Sequence, residues 1–366
     1  MNETNQKSFF SFSNPLQIHR GVKLWLIAGL IMVFMQIIIG GITRLTGSGL
    51  SITKWDIVTG TLPPLNEAQW QSEFELYQLT PQYKKINEGM PIEDFKFIYF
   101  WEYFHRLWAR TMGFVFLIGF GIFLFKGMFS RELFRRLGLL VSLAALEGFF
   151  GWIMVASGLR ERPWVNAYNL TLHLGMGFTI FSVLLWITFR AFQPSVKPFL
   201  NQALRKQTLL MLYVLGVQIL LGALMSGMKA GLVYPSWPKM GAEWAPNMIF
   251  DLSQWHWTNF LEYDKNPFAP ALVQFVHRGT AYLTAILGVF LFIRLRNTGA
   301  ISRQLSIANV LVILLLTTQV VLGILTLINC KVHIPVALGS LHQGCAIFLL
   351  SALLFVYYQM SKKYVQ

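Results

Sequence analysis

Residues 24–43 read LWLIAGLIMVFMQIIIGGIT, a run of twenty residues without a charged side chain. A run of this length and polarity crosses the hydrocarbon core of a bilayer as one α-helix. Seven more apolar runs follow, at residues 98–125, 137–157, 168–189, 207–227, 271–293, 305–328 and 336–358. The sequence therefore predicts an all-α integral membrane protein with eight transmembrane helices.

The composition also indicates a membrane protein. Of the 366 residues, 55% are hydrophobic and 13% are charged, and the mean hydropathy is +0.51. Soluble domains carry about 25% charged residues, so the composition excludes an ordinary soluble class. Two cysteines, Cys330 and Cys345, are too few for a disulfide framework. We expect both to be small buried residues, and a labile disulfide between them stays open.

Basic residues are divided unevenly between the two sides of the membrane. The side that holds both termini has sixteen Lys and Arg against two acidic residues, whereas the other side has eleven against twelve. The positive-inside rule then predicts cytoplasmic termini. This asymmetry also explains the net charge of +14, which gives no indication of nucleic-acid binding. The N-terminus lacks the Arg- and Ser-rich stretch of an organelle transit peptide, which favours a bacterial cell inner membrane.

The chain contains an internal repeat. Gln36, Gly40 and Trp55 recur 182 positions later, and the Glu102, His105 and Arg106 group recurs 172 positions later as Gln274, His277 and Arg278. The repeat predicts two pseudo-symmetric four-helix bundles, formed by residues 1–200 and 201–366. A finer motif, Gln or Glu followed four residues later by Gly, lies in each odd-numbered span, where small residues allow helices to approach closely. Its four copies begin at Gln36, Glu147, Gln218 and Gln319.

One histidine lies in each even-numbered span, and these are His105, His173, His277 and His342. Because all even-numbered spans run in the same direction, we expect the four imidazoles to share one depth near the outer ends. Two histidines on neighbouring helices of one bundle suit the two axial positions of a haem iron. The alternative is a set of polar residues in a proton path, but their symmetry across the repeat favours haem ligation. The remaining histidines, at positions 19, 256 and 333, are expected to be solvated.

Arginines next to these histidines indicate an anionic cofactor. Arg106 and Arg278 directly follow His105 and His277. A haem has two propionates, and arginine binds carboxylates in bidentate fashion. We therefore predict that both arginines bind haem propionates. For Arg44 the sequence leaves two alternatives open, a propionate partner and a side chain that extends to the membrane interface.

The two halves differ at an acidic residue. Glu102 lies three residues before His105, so both share one helix face, whereas the matching residue before His277 is Gln274. A carboxylate inside a membrane is costly and usually functional. We therefore expect the first half to carry out chemistry, with an ion pair from Glu102 to Arg106 or Arg110 as the structural alternative. Glu147 is the other buried acid and is expected to join the same network.

Several stretches resemble the haem A synthase family. They are residues 40–52 (GGITRLTGSGLSI), Thr59 and Gly60, residues 101–106 (WEYFHR), residues 230–234 (AGLVY), residues 275–278 (FVHR) and residues 341–343 (LHQ). The resemblance covers essentially the whole chain. Its long first outer loop is similar to that of the group shared by mitochondria and many Gram-negative bacteria.

The resemblance implies a definite activity. Such enzymes oxidise the C8 methyl of haem O to a formyl group by successive hydroxylation, which gives haem A for terminal oxidases. It implies that the first four helices form the substrate site, with Glu102, His105 and His173 as its key residues. It implies that the last four helices bind a haem b cofactor through His277 and His342. Haem O synthase is the implied source of substrate, and an electron partner is also implied.

Two alternatives to a haem A synthase come from other functional classes. A di-haem b membrane electron carrier would use both histidine pairs only to move electrons. A haem-free transporter built on parallel repeats would show no haem absorption. The histidine arrangement argues against the transporter, and a modified haem product would separate the enzyme from the carrier.

Overall fold

The computed structural model describes residues 18–55, 61–159, 162–196, 199, 201–299 and 301–360, and within them it contains no β-strand. The α-helices of these residues are α1 (Arg20–Leu45), α2 (Glu67–Gln78), α3 (Ile92–Phe125), α4 (Arg131–Gly158), α5 (Ala167–Phe192), α6 (Gln202–Gly227), α7 (Trp257–Leu261), α8 (Phe268–Arg296), α9 (Arg303–Ile328) and α10 (Val336–Gln359). All except α2 and α7 are long and apolar enough to cross a membrane. Some residues on which the predictions rest lie outside the described ranges. They are Thr59 and Gly60 of the family resemblance and four of the sixteen basic residues counted on the side of the termini, Lys7, Lys197, Lys362 and Lys363.

Each predicted span lies inside one of the eight long helices, so the eight-helix prediction is confirmed. Seven of the eight long helices begin before their predicted apolar runs, by six residues in α3 and α4 and by five in α6, whereas α10 begins where predicted. Ser130 caps α4 by accepting a hydrogen bond from the amide of Leu133, and Asn201 caps α6 through the amide of Leu204. Such caps stabilise a polar first turn, which a search for apolar runs does not detect.

The long helices pack mainly against their neighbours in sequence. In the first half α1 packs against α3 and α5, and α5 packs against α4. In the second half α8 packs against α6 and α9, and α9 packs against α10. Contacts of α5 with α6 and of α1 with α10 join the halves, and the main hydrophobic core includes Leu26, Leu184 and Leu353. The helices α3 and α4, both described throughout, do not pack along each other as α8 and α9 do.

Two long loops, residues 46–91 (described except for residues 56–60) and 228–267, lie at the ends of the helices away from Arg20 and Gln359. The first loop contains α2 and a hydrophobic cluster in which Phe74 and Tyr77 pack against Phe95 of α3. The second loop is anchored by Asp264, which accepts hydrogen bonds from Arg162 at 2.9 Å and from the Trp164 indole at 2.8 Å. Both loops are therefore folded against the helix ends.

Candidate functional site

All four predicted histidines line one cavity of about 860 Å³ that extends through both halves of the molecule. The helices α3, α5, α8 and α10 carry them in chain order. The remaining histidines lie outside this cavity, as predicted. His19 caps α1, and His256 and His333 are exposed in loops. The structure thus brings together the histidines that the repeat had singled out.

Each of the four imidazoles contacts a polar side chain from the preceding span. Three of these side chains are glutamines and one is a glutamate. The shortest nitrogen–nitrogen or nitrogen–oxygen distances are 3.2 Å for Gln36 to His105, 3.2 Å for Glu147 to His173, 3.3 Å for Gln218 to His277 and 3.3 Å for Gln319 to His342. Partners of this kind orient a histidine ring and select the nitrogen that remains for a metal.

The glycine of each motif provides the space for the same imidazole. A Cβ atom added there would lie close to the ring carbon Cε1, at 3.0 Å for Gly40 and His105, 3.2 Å for Gly151 and His173, 3.4 Å for Gly222 and His277 and 3.0 Å for Gly323 and His342. Cβ atoms rarely approach other atoms so closely. The sequence predicts close approach of helices at these glycines, but it does not predict their contact with the histidines. The signal was present, because every copy of the motif precedes a histidine-bearing span.

The two arginines beside the histidines hold the loop segments above the cavity. Arg106 donates hydrogen bonds to the carbonyls of Ile52 at 3.1 Å and Lys54 at 2.8 Å. Arg278 donates to the matching carbonyls of Tyr234 at 3.3 Å and Ser236 at 2.6 Å. Both guanidinium groups also line the cavity. Their predicted contact with propionates stays a prediction.

Glu102 is almost fully buried and makes contacts that its counterpart lacks. Its carboxylate accepts hydrogen bonds of 2.8 Å from the Ser51 hydroxyl and from the Ile52 amide, and it forms an ion pair with Arg106. Gln274, at the matching position, instead donates to the carbonyl of Tyr234 at 2.8 Å. The ion pair expected as the structural alternative is present, and Glu102 still lines the cavity.

The second buried acid has a different partner from the expected one. Glu147 contacts His173, whereas Glu102 contacts the first loop and Arg106. The two acids therefore belong to separate sets of contacts, Glu147 with His173 and Glu102 with the first loop and Arg106.

Arg44 lies between the two halves of the molecule. Its guanidinium donates to the carbonyls of Ser226 at 2.6 Å and Gly227 at 3.3 Å, at the end of α6. A cation at a helix C-terminus is favourable because the helix dipole places partial negative charge there. Nearby, burial and the charge of Arg44 lower the pKa of Lys229 to about 8.

Both cysteines are buried and free. The Cys330 thiol lies against the carbonyl of Thr326, and the Cys345 thiol against that of Leu315. Burial raises the pKa of Cys330 to about 11, so its thiol is a poor nucleophile at neutral pH. The expectation of two small buried residues is confirmed.

Below the histidines, the two halves differ in the size of matched side chains. On α4, Ala144 lines the cavity, and a Cβ added at Gly148 would meet no atom within 4 Å. The matching residues on α9 are Leu316 and Val320. Leu316 is buried, and its side chain would lie 2.3 Å from a Cβ added at Gly288. The first half therefore has open space next to α4 where the second half is filled by side chains.

The chain is similar to known proteins over nearly its whole length. The family model described as "Cytochrome oxidase assembly protein" matches residues 23–354. A protein of Rhodospirillum centenum named heme A synthase is 44% identical over 337 residues, which are 92% of this chain and 87% of the relative. Heme A synthases of Flavobacterium psychrophilum and Paracoccus denitrificans are 38% and 40% identical over 348 residues, covering 94% and 92% of this chain and 99% and 88% of the relatives. The chain therefore belongs to the cytochrome oxidase assembly protein family, together with these haem A synthases.

Proposed function

We propose that this protein is a haem A synthase, a membrane enzyme that oxidises the C8 methyl of haem O to a formyl group. Each hydroxylation is a two-electron oxidation that replaces one C–H bond of the methyl by C–OH, with dioxygen and an electron donor, or water and an electron acceptor, as co-reactants from outside the chain. The hydrated aldehyde formed by the second hydroxylation then loses water. The observation that carries the proposal is the cavity lined by four histidines, two from each half, in a chain of this family.

We assign the substrate to the half formed by residues 1–200, between His105 and His173. Two features support this choice. Glu102 is found only in this half, and the space next to α4 is open here. Haem O carries a long isoprenoid chain that haem b lacks, so a site for haem O needs additional apolar space. The gap between α3 and α4 provides it.

We assign haem b to the half formed by residues 201–366, between His277 and His342. The residues fit this group, because the Nδ1 atom of each imidazole is buried and has no hydrogen-bond partner among the described residues. Haem b supplies one-electron transfer when it is bound. The tighter packing around Leu316 suits a haem without a long chain.

Within this proposal the chain's own residues have separate roles. Glu102 is the catalytic acid–base group, because it lines the cavity, lies three residues before His105 and is kept in place by Ser51, Ile52 and Arg106. Arg106 and Arg278 bind the propionates with some of the N–H groups that otherwise donate to the loop carbonyls.

We place the protein in a bacterial cell inner membrane with both termini in the cytoplasm. The excess of basic residues on the side of the termini supports this orientation. Haem O synthase as the source of substrate, and an electron partner outside the chain, complete the proposal. The surrounding partner is membrane lipid, and no nucleic acid is involved.

The test is haem extraction and mass analysis from a host that makes haem O but no haem A, with and without this protein. Haem A, or its hydroxylated precursor, should appear only when the protein is present. If a folded, haem-loaded protein yields haem b and unchanged haem O, the protein is a di-haem b electron carrier instead. The Glu102→Gln variant should make no haem A while it keeps the haem b spectrum.

A further inference from the structure

One of the four histidines has a partner of a different chemical kind. His105, His277 and His342 contact the neutral amides of glutamines. His173 contacts a carboxylate, with Glu147 Oε1 lying 3.2 Å from Nδ1. These four partners occupy the same position of the same repeated motif. The contacted ring nitrogen also differs, because Gln218 and Gln319 lie against Nε2 and Gln36 lies against both nitrogens.

The surroundings of Glu147 direct its carboxylate toward His173. Gly177, on the helix that carries His173, leaves room for it, since a Cβ added there would lie 3.4 Å from Oε1. The other oxygen, Oε2, is buried and has no hydrogen-bond partner among the described residues. A buried carboxylate oxygen without a donor is costly, which indicates that the group is kept for its effect on the neighbouring imidazole.

A carboxylate acts on an iron-bound histidine differently from an amide. When Nε2 binds iron, the Nδ1–H group donates a hydrogen bond to the partner. A carboxylate can only accept this hydrogen bond, whereas the glutamines at the matching positions turn their amide nitrogens, which are donors, toward the rings. The carboxylate therefore makes the imidazole a more basic ligand. A more basic ligand and a nearby negative charge both stabilise ferric over ferrous iron, and this shifts the reduction potential downward.

We infer that Glu147 is a positioning residue that makes His173 a stronger iron ligand than the other three histidines. A haem between His105 and His173 therefore has a lower reduction potential than it would have with glutamine at position 147.

This inference rests on the proposed function only in that a haem occupies the first half. A haem bound there would supply electron transfer, and Glu147 would act on it through His173.

The experiment is an anaerobic redox titration of the full-length protein loaded with haem O and haem b, followed by absorption. Glu147→Gln installs the group found at the three matching positions and should move one of the two reduction waves upward. We expect at least a tenfold fall in the ferric-to-ferrous ratio at fixed potential, equal to 59 mV for one electron. The reciprocal variant, Gln319→Glu, should move the other wave downward.

Electron paramagnetic resonance of the ferric protein gives a second readout that does not depend on activity. The g values of the low-spin haem in the first half should change in Glu147→Gln and remain in Glu147→Asp. If neither substitution moves its wave, the inference is wrong, even when haem A is still made. If the waves move but no haem A forms in the extraction assay, the inference stands and the proposed function fails. If Glu147→Gln fails to bind haem O, Gln319→Glu decides alone.

Discussion

Filling the space next to α4 is expected to weaken binding of haem O much more than binding of haem b. Ala144 lines the cavity there, and Leu316 is the buried residue at the matching position. The Ala144→Leu variant adds three carbon atoms where we place the isoprenoid chain of haem O. If they displace three methylene-sized groups from contact, at about 0.8 kcal/mol each, the loss is roughly 2.4 kcal/mol. That loss corresponds to an approximately 60-fold higher Kd.

The affinities are measured by Soret titration of detergent-purified protein from a host without haem O, so that the first half is empty at the start. Haem O and haem b are compared in the parent protein and in Ala144→Leu. The matched control is Leu316→Ala, which should leave the affinity of the first half for haem O unchanged. Equal losses for both haems would refute the reasoning, because the effect would then come from the histidine pair or from helix packing.

Three further predictions test other parts of the site. Glu102→Gln should abolish haem A formation, measured by mass analysis of extracted haem, and leave the haem b spectrum intact because Gln occupies this position in the second half. Gly40→Ala should press on His105 and cost about 1–3 kcal/mol of haem affinity or stability, measured by titration and melting. Gly138→Ala, where a Cβ meets nothing within 4 Å, should be neutral. Since burial lowers the pKa of Lys229 to about 8, the unfolded state binds more protons between pH 8 and the ordinary value of 10.5. Thermal stability should therefore rise over that interval, and Lys229→Met should remove the rise.

The membrane spans and the four histidines were predictable from the sequence because each leaves a strong local signal. An apolar run of twenty residues has few alternatives to a transmembrane helix. A histidine repeated once per even-numbered span is detectable without knowing any contact. The prediction of a distinct Glu102 also followed from a direct comparison with Gln274.

The contacts around the site were less predictable, for two physical reasons. Hydrogen bonds from Arg106 and Arg278 go to backbone carbonyls, and a carbonyl leaves no trace in the sequence. The partner of Glu147 depends on how α4 is rotated against α5. Neighbouring residues on a helix point in directions that differ by about 100°. A membrane helix that is apolar on all sides has no sequence pattern that fixes which direction faces its neighbour. The pairing of Glu147 with His173 therefore needed the structure.

The distribution of the differences between the halves favours divided roles over two equal sites. All four imidazoles have the same kind of surroundings, with a glycine against the ring and a polar side chain next to a ring nitrogen. The substitutions Glu102 for Gln274, Glu147 for Gln319 and Ala144 for Leu316 all fall in the first half and surround one histidine pair. Two sites that only carry electrons would need none of these differences. A buried acid destabilises the folded protein, and an open apolar space lacks favourable packing contacts. A site that must take up a haem with a long chain and oxidise it has a use for all three.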